Sequence, residues 1–130
     1  MDKFKKKYSI ILILIFTLIS CKNSKKDKVE LVYENGIEKI AIEIENGKDF
    51  LIYDQLTKTN FIVNNIDPAS LLIVGSGIRI LGTDNNNTTV QTEIKVPSDF
   101  LDKDTLTIKV RYGEGYKKGP DFQIPMKKPK

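Results

Sequence analysis

Histidine and tryptophan are missing from these 130 residues, and cysteine occurs once. The lack of histidine removes the commonest general base and the commonest metal ligand. A lone cysteine, Cys21, has no partner for an intramolecular disulfide. Helical periodicity is also lacking: no window of useful length repeats its apolar residues every 3.6 positions. Nor is there a strong charge imbalance in the part expected to fold. The first 20 residues hold four of the 21 basic residues and one of the 17 acidic ones, so residues 21–130 carry 17 and 16, a net of +1. Lysines crowd the two flanks, Lys22–Lys28 and Lys127–Lys130, and leave the middle mildly acidic. A nucleic-acid binder places a basic stripe on the fold itself, so nucleic acid is not an expected partner.

What is present starts with an apolar run. Tyr8–Ser20 is almost unbroken and follows Lys3, Lys5, Lys6 and Lys7. A basic start, a short apolar middle and small residues before a cut site are the three parts of a secretory signal. Ten to thirteen helical residues at about 1.5 Å each reach less than about 20 Å, whereas the hydrocarbon core is about 30 Å thick. The run is too short for a comfortable permanent span.

Leu18-Ile19-Ser20-Cys21 resembles the lipobox of bacterial lipoproteins. The resemblance implies a diacylglycerol thioether on the Cys21 thiol and cleavage between Ser20 and Cys21. It also implies acylation of the new amino group. Each buried CH₂ contributes about 0.8 kcal/mol, so two or three chains anchor durably. Lys22, rather than an aspartate, follows the cysteine; by the sorting rule of some enterobacteria this favours the outer membrane. Surface lipoproteins of the Bacteroidetes carry charged export signals at the same place, and Lys22-Asn23-Ser24-Lys25-Lys26-Asp27 is similar in being charged. The expected partner here is a lipid bilayer, and the expected organisation is a signal peptide over 1–20, a lipidated tether over 21–28, one domain over 29–126 and a basic tail over 127–130.

From Val29 the pattern has period two. Val29, Leu31 and Tyr33 alternate with Glu30, Val32 and Glu34 up to Asn35-Gly36, a hairpin signal. A second strand over Ile40–Glu45 ends at Asn46-Gly47, and the two turns together predict a meander or hairpin ladder. Phe50–Tyr53 and Thr59–Ile66 are strand-like, and Asp67-Pro68 breaks the second. Ser70–Val74 is continuously apolar and predicts a central strand buried on both faces. Gly75-Ser76-Gly77 is a turn, Ile78–Leu81 follows, and Asp84–Asn87 is a polar loop. Val90–Val96 and Leu106–Tyr112 alternate cleanly, separated by a corner or helical turn at Pro97–Leu101. Gly113–Gly119 is a hairpin loop and Asp121–Pro125 a closing strand.

Seven to nine short strands with turns every eight to twelve residues or so predict an all-β antiparallel sandwich. The last three strands resemble those of immunoglobulin- or fibronectin-like domains, although the tryptophan and disulfide of antibody domains are missing. Val32–Ile37, Gly75–Ile78 and Phe122–Pro125 also resemble, more faintly, small β-domains of the gliding-motility and type IX secretion protein GldM. That resemblance implies a structural role in the periplasm.

Candidate chemistry is sparse. Asp84, Asn86 and Thr88 alternate as in a calcium loop but supply one carboxylate where Ca²⁺ wants six to eight oxygens or so; a plain hairpin loop is the simpler reading. Gly75-Ser76-Gly77 and Gly113-Glu114-Gly115 lack the following helix that a phosphate cradle needs. Glu43 with Glu45, and Asp102 with Asp104, share strand faces and read as solvated surface rather than a glycosidase pair. Asp104-Thr105-Leu106 resembles the O-glycosylation acceptor of Bacteroidetes, which implies Thr105 as the modified residue. Tyr116, Lys117 and Lys118 gather aromatic and basic character on one loop, a candidate contact for a partner. Tyr112 reads as core. The expectation is a non-catalytic lipoprotein without cofactor or metal, binding another envelope protein. The alternatives are a carbohydrate-binding accessory module of a surface glycan system and a component associated with gliding or type IX secretion.

Overall fold

The computed structural model describes residues 29–130. Nine strands form two sheets: β1 (Val32–Asn35), β2 (Glu38–Ile44), β3 (Leu51–Ile52), β4 (Thr57–Asn64), β5 (Leu72–Val74), β6 (Ile78–Thr83), β7 (Thr89–Ile94), β8 (Thr105–Arg111) and β9 (Asp121–Lys127). The first sheet runs β1-β2-β4-β7-β6 and the second β3-β9-β8-β5. All pairings are antiparallel except β3 with β9. Lettered as in immunoglobulin domains, β2-β4-β7-β6 is the A-B-E-D sheet and β5-β8-β9 the C-F-G sheet. β1 adds a hairpin strand to the first sheet, and β3 carries the chain across to the second. The fold is therefore an all-β, immunoglobulin-like sandwich.

Alternation produces this arrangement directly. Successive side chains of a strand point to opposite faces, so apolar residues at every second position make one inner face. Ile40, Ile42 and Ile44 of β2, Phe61 and Val63 of β4, and Val90 and Ile94 of β7 supply one half of the core. Leu106, Ile108 and Val110 of β8 and Phe122, Ile124 and Met126 of β9 supply the other. These residues form a single cluster.

Two strand-level expectations are corrected. Ser70–Val74 is not a central strand. Pro68–Ser70 is a 3-10 turn whose Ala69 N–H is capped by Asp67. β5 is an edge strand, with Ile73 buried and Leu72 and Val74 half exposed. A run of apolar residues did not mean burial here because only one side of the strand meets the core. Asn46-Gly47 does not make a hairpin either. Both residues take positive φ, but the turn sends the chain to the other sheet, and β2 pairs with β4 instead of β3. The Pro97–Leu101 segment is a corner closed by a bond from Phe100 N–H to the Pro97 carbonyl. β9 runs through Lys127, the first residue of the expected basic tail.

Register also separates two ends of the sandwich. The turn after β1, the end of β4 and the Asp84–Thr88 loop lie together, as the pairs Lys39↔Asn64 and Ile62↔Thr89 require. Leu31 enters toward the other end, where its carbonyl accepts from Ile42 N–H at 2.8 Å.

Candidate functional site

The Gly113–Gly119 loop is built from its base upward. Tyr112 and Lys118 exchange main-chain bonds of 2.9 and 3.3 Å that close the hairpin. Arg111 then staples it. Its guanidinium donates to the carbonyls of Val110, Gly119 and Pro120 at 3.0, 3.3 and 2.8 Å and to the Asp121 carboxylate at 2.6 Å. Gly119 is required where it stands, because a Cβ at this positive φ would collide with the Val110 carbonyl. Glu38, the first residue of β2, reaches across to the same loop. It accepts from the Tyr112 hydroxyl at 3.0 Å and pairs with the Lys118 ammonium at 3.6 Å. Burial, with Tyr33 and Glu38 beside it, pushes the Tyr112 hydroxyl above its ordinary pKa. Tyr33 meets the Tyr112 ring edge-on, with centroids 6.4 Å apart.

This geometry divides the three candidate contact residues. Lys118 is committed to Glu38 and serves the loop's own shape. Tyr116 is 54% exposed, held at φ 53° at the tip, and Lys117 beside it is exposed. A rigid base presenting one aromatic ring and one cation costs little conformational entropy on contact with a partner. Tyr112 is core, as expected.

A second cluster lies at the opposite end, around a cleft of about 350 Å³ lined by Tyr53, Ser98, Asp99 and Asp104. The Tyr53 hydroxyl donates to Asp104 at 2.7 Å. That hydrogen bond, and then burial, push the Tyr53 pKa up to about 12. The hydroxyl therefore stays a donor at neutral pH. Asp54 is held below the usual carboxylate range by the Ser98 hydroxyl and N–H. These bonds tie the corner after β7 to the segment after β3. Thr105, the candidate glycosylation site, is exposed at the first position of β8. Its acidic neighbour in the tripeptide, Asp104, is the residue that Tyr53 engages.

The remaining candidates are structural in what they touch. Asp84 accepts from the N–H groups of Thr88 and Thr89 at 2.9 and 3.0 Å and from the Thr88 hydroxyl at 3.2 Å. The first of these does most to hold its pKa below the ordinary range. The carboxylate closes the loop. Glu43 is exposed on β2, and Glu45 accepts from Lys58 N–H in the following turn. Gly77 lies against Lys95, whose carbonyl would meet any Cβ there. Ser20 and Cys21 lie outside the described residues.

Sequence reasoning missed a groove of about 420 Å³ between β1 and β9. Its walls come from segments some ninety positions apart, and no local pattern announces it. Compared with family models, curated proteins and solved structures, the chain has no match.

Proposed function

We propose that the protein is a lipid-anchored envelope lipoprotein whose sandwich is a non-catalytic binding or structural module. The lipobox at Leu18–Cys21 supports the anchor and the export it requires. Lys22 after the cysteine favours the outer membrane over the inner one. Its partners are the bilayer, through acylated Cys21, and another envelope protein. The observation that carries the binding role is the braced Gly113–Gly119 loop, with Tyr116 and Lys117 exposed at its tip. Among the described residues, the two aromatic side chains more than half exposed, Phe100 and Tyr116, sit at opposite ends. They share no flat platform of the kind a glycan chain stacks on, so a protein partner is favoured.

Two measurements test this. Intact mass of the mature protein should equal residues 21–130 plus a diacylglycerol and an acyl group; an unmodified or uncleaved chain overturns the anchor. Crosslinking in native envelopes from Tyr116 and Lys117 positions should trap one protein species, and Tyr116→Ala should lose it. Equal trapping by the variant overturns the loop assignment.

A further inference from the structure

The second sheet has an edge that β3 covers only in part. β3 pairs with β9 at Met126 and Lys127 alone. From Asp121 to Pro125, β9 has no strand on that side among the described residues. Register decides which groups are left open. Pro120 and Met126 bond to β8, through Val110 N–H to Pro120 and Met126 N–H to Asp104, each pair at 3.0 Å or less. An antiparallel ladder alternates, so even-numbered residues of β9 face β8. Asp121, Gln123 and Pro125 turn their main-chain groups outward. Lys127 is on this outward row, and its carbonyl already accepts from Tyr53 N–H at 3.0 Å. The row therefore bonds to a strand where one is supplied.

The other edges are blunted, as isolated edges usually are. β1 has four residues and β5 three, and β6 shifts register between Ile80 and Gly82. β9 is longer and its pairing with β8 is regular. Beside its open row lies the groove toward β1. Val29, Val32, Tyr33, Pro120 and Phe122 give it apolar walls, and its two charged lining residues, Glu30 and Asp121, are both acidic, Asp121 being already paired with Arg111.

We propose that this row is a strand-addition site for an extended segment of a partner protein that alternates apolar and basic residues. Main-chain bonds to Asp121 and Gln123 supply affinity, and the groove takes every second side chain. Glu30, the lining acid that Arg111 does not hold, favours cationic over anionic side chains in the segment. The proposal rests on reading the domain as a protein-binding module, but its test is independent of the lipid on Cys21 and of the Tyr116 loop.

The probe is a ten-residue acetylated peptide of alternating valine and lysine, with a valine–glutamate peptide as control. Both are titrated by fluorescence anisotropy against the full chain in neutral detergent. The lysine peptide should bind at least tenfold tighter, and it should slow amide exchange at Gln123. Gln123→Pro removes an outward N–H and no main-chain bond to β8; it also loses the side-chain bond that Gln123 accepts from the Thr107 hydroxyl, a loss that Gln123→Ala shares. Pro125 shows that the row accommodates proline, and Gln123→Pro should weaken binding at least tenfold. Gln123→Ala, which keeps the N–H, should bind within twofold of the parent. Should Gln123→Pro fail to fold, Glu30→Lys should weaken the lysine peptide and strengthen the glutamate one. Equal binding of both peptides, or unchanged exchange at Gln123, overturns the proposal.

Discussion

Thr59 and Thr92 face each other across β4 and β7 in the core, both almost fully buried. Thr92 donates to the Thr59 carbonyl at 2.7 Å, while the Thr59 hydroxyl has no partner among the described residues. A buried polar group without a partner loses its hydration and regains nothing. Thr59→Val should stabilise the fold by about 1 kcal/mol and Thr92→Val should destabilise it by about the same amount, read from urea midpoints. Tyr53 makes a different prediction. Its hydroxyl pKa is raised from 10.0 to about 12 in the fold, so the unfolded chain loses this proton first as pH rises. The contribution is whole below pH 10 and is lost as pH climbs through about 12. Denaturant midpoints should fall across that window, and Tyr53→Phe should remove the tyrosine's share of the fall while leaving that of the lysines.

Elements show how a turn or an edge depends on its neighbours. The Gly113–Gly119 loop tolerates little at its base because Gly119 packs its α-carbon against the Val110 carbonyl. Gly119→Ala should cost about 2–4 kcal/mol and release the Arg111 staple, which thermal unfolding and the exchange rate of Lys118 N–H would both report. β5 makes the complementary case. Val74→Lys points a long polar chain into solvent from an edge and should change stability by about 0.5 kcal/mol or less. Ile73→Lys, one position earlier, buries an unpaired charge and should cost about 3 kcal/mol or more. A strand buried on both faces would suffer from both substitutions, so the pair of unfolding curves checks that only one face of β5 meets the core.

The described residues have one core, and the two sheets share it. Phe61 of β4 is fully buried within that cluster. Phe61→Ala should cost about 3–5 kcal/mol. The loss should register identically by far-ultraviolet circular dichroism and by tyrosine fluorescence, because neither sheet has a separate core to keep. Two transitions in place of one would show that the sheets unfold independently.

Much of this was legible along the chain because it is local. The alternation over Ile40–Glu45, Val90–Val96 and Leu106–Tyr112 names the inward residues without reference to any partner. Asn35-Gly36 marks a real hairpin for the same reason, since the left-handed conformation glycine permits is settled within four residues. The absence of histidine bears on chemistry wherever the chain goes. What tertiary structure alone decided is pairing. Asn46-Gly47 has the same local chemistry as Asn35-Gly36, yet its chain changes sheets, because Leu51 and Tyr53 find their burial against β9. Ser70–Val74 carries the apolar character of a central strand but lies at an edge, where neighbours are set by topology. Lys118 belongs to Glu38, 80 positions away, and the groove beside β9 exists only because β1 and β9 meet. Backbone preference is a property of neighbours in sequence, whereas burial and an unpaired edge are properties of neighbours in space.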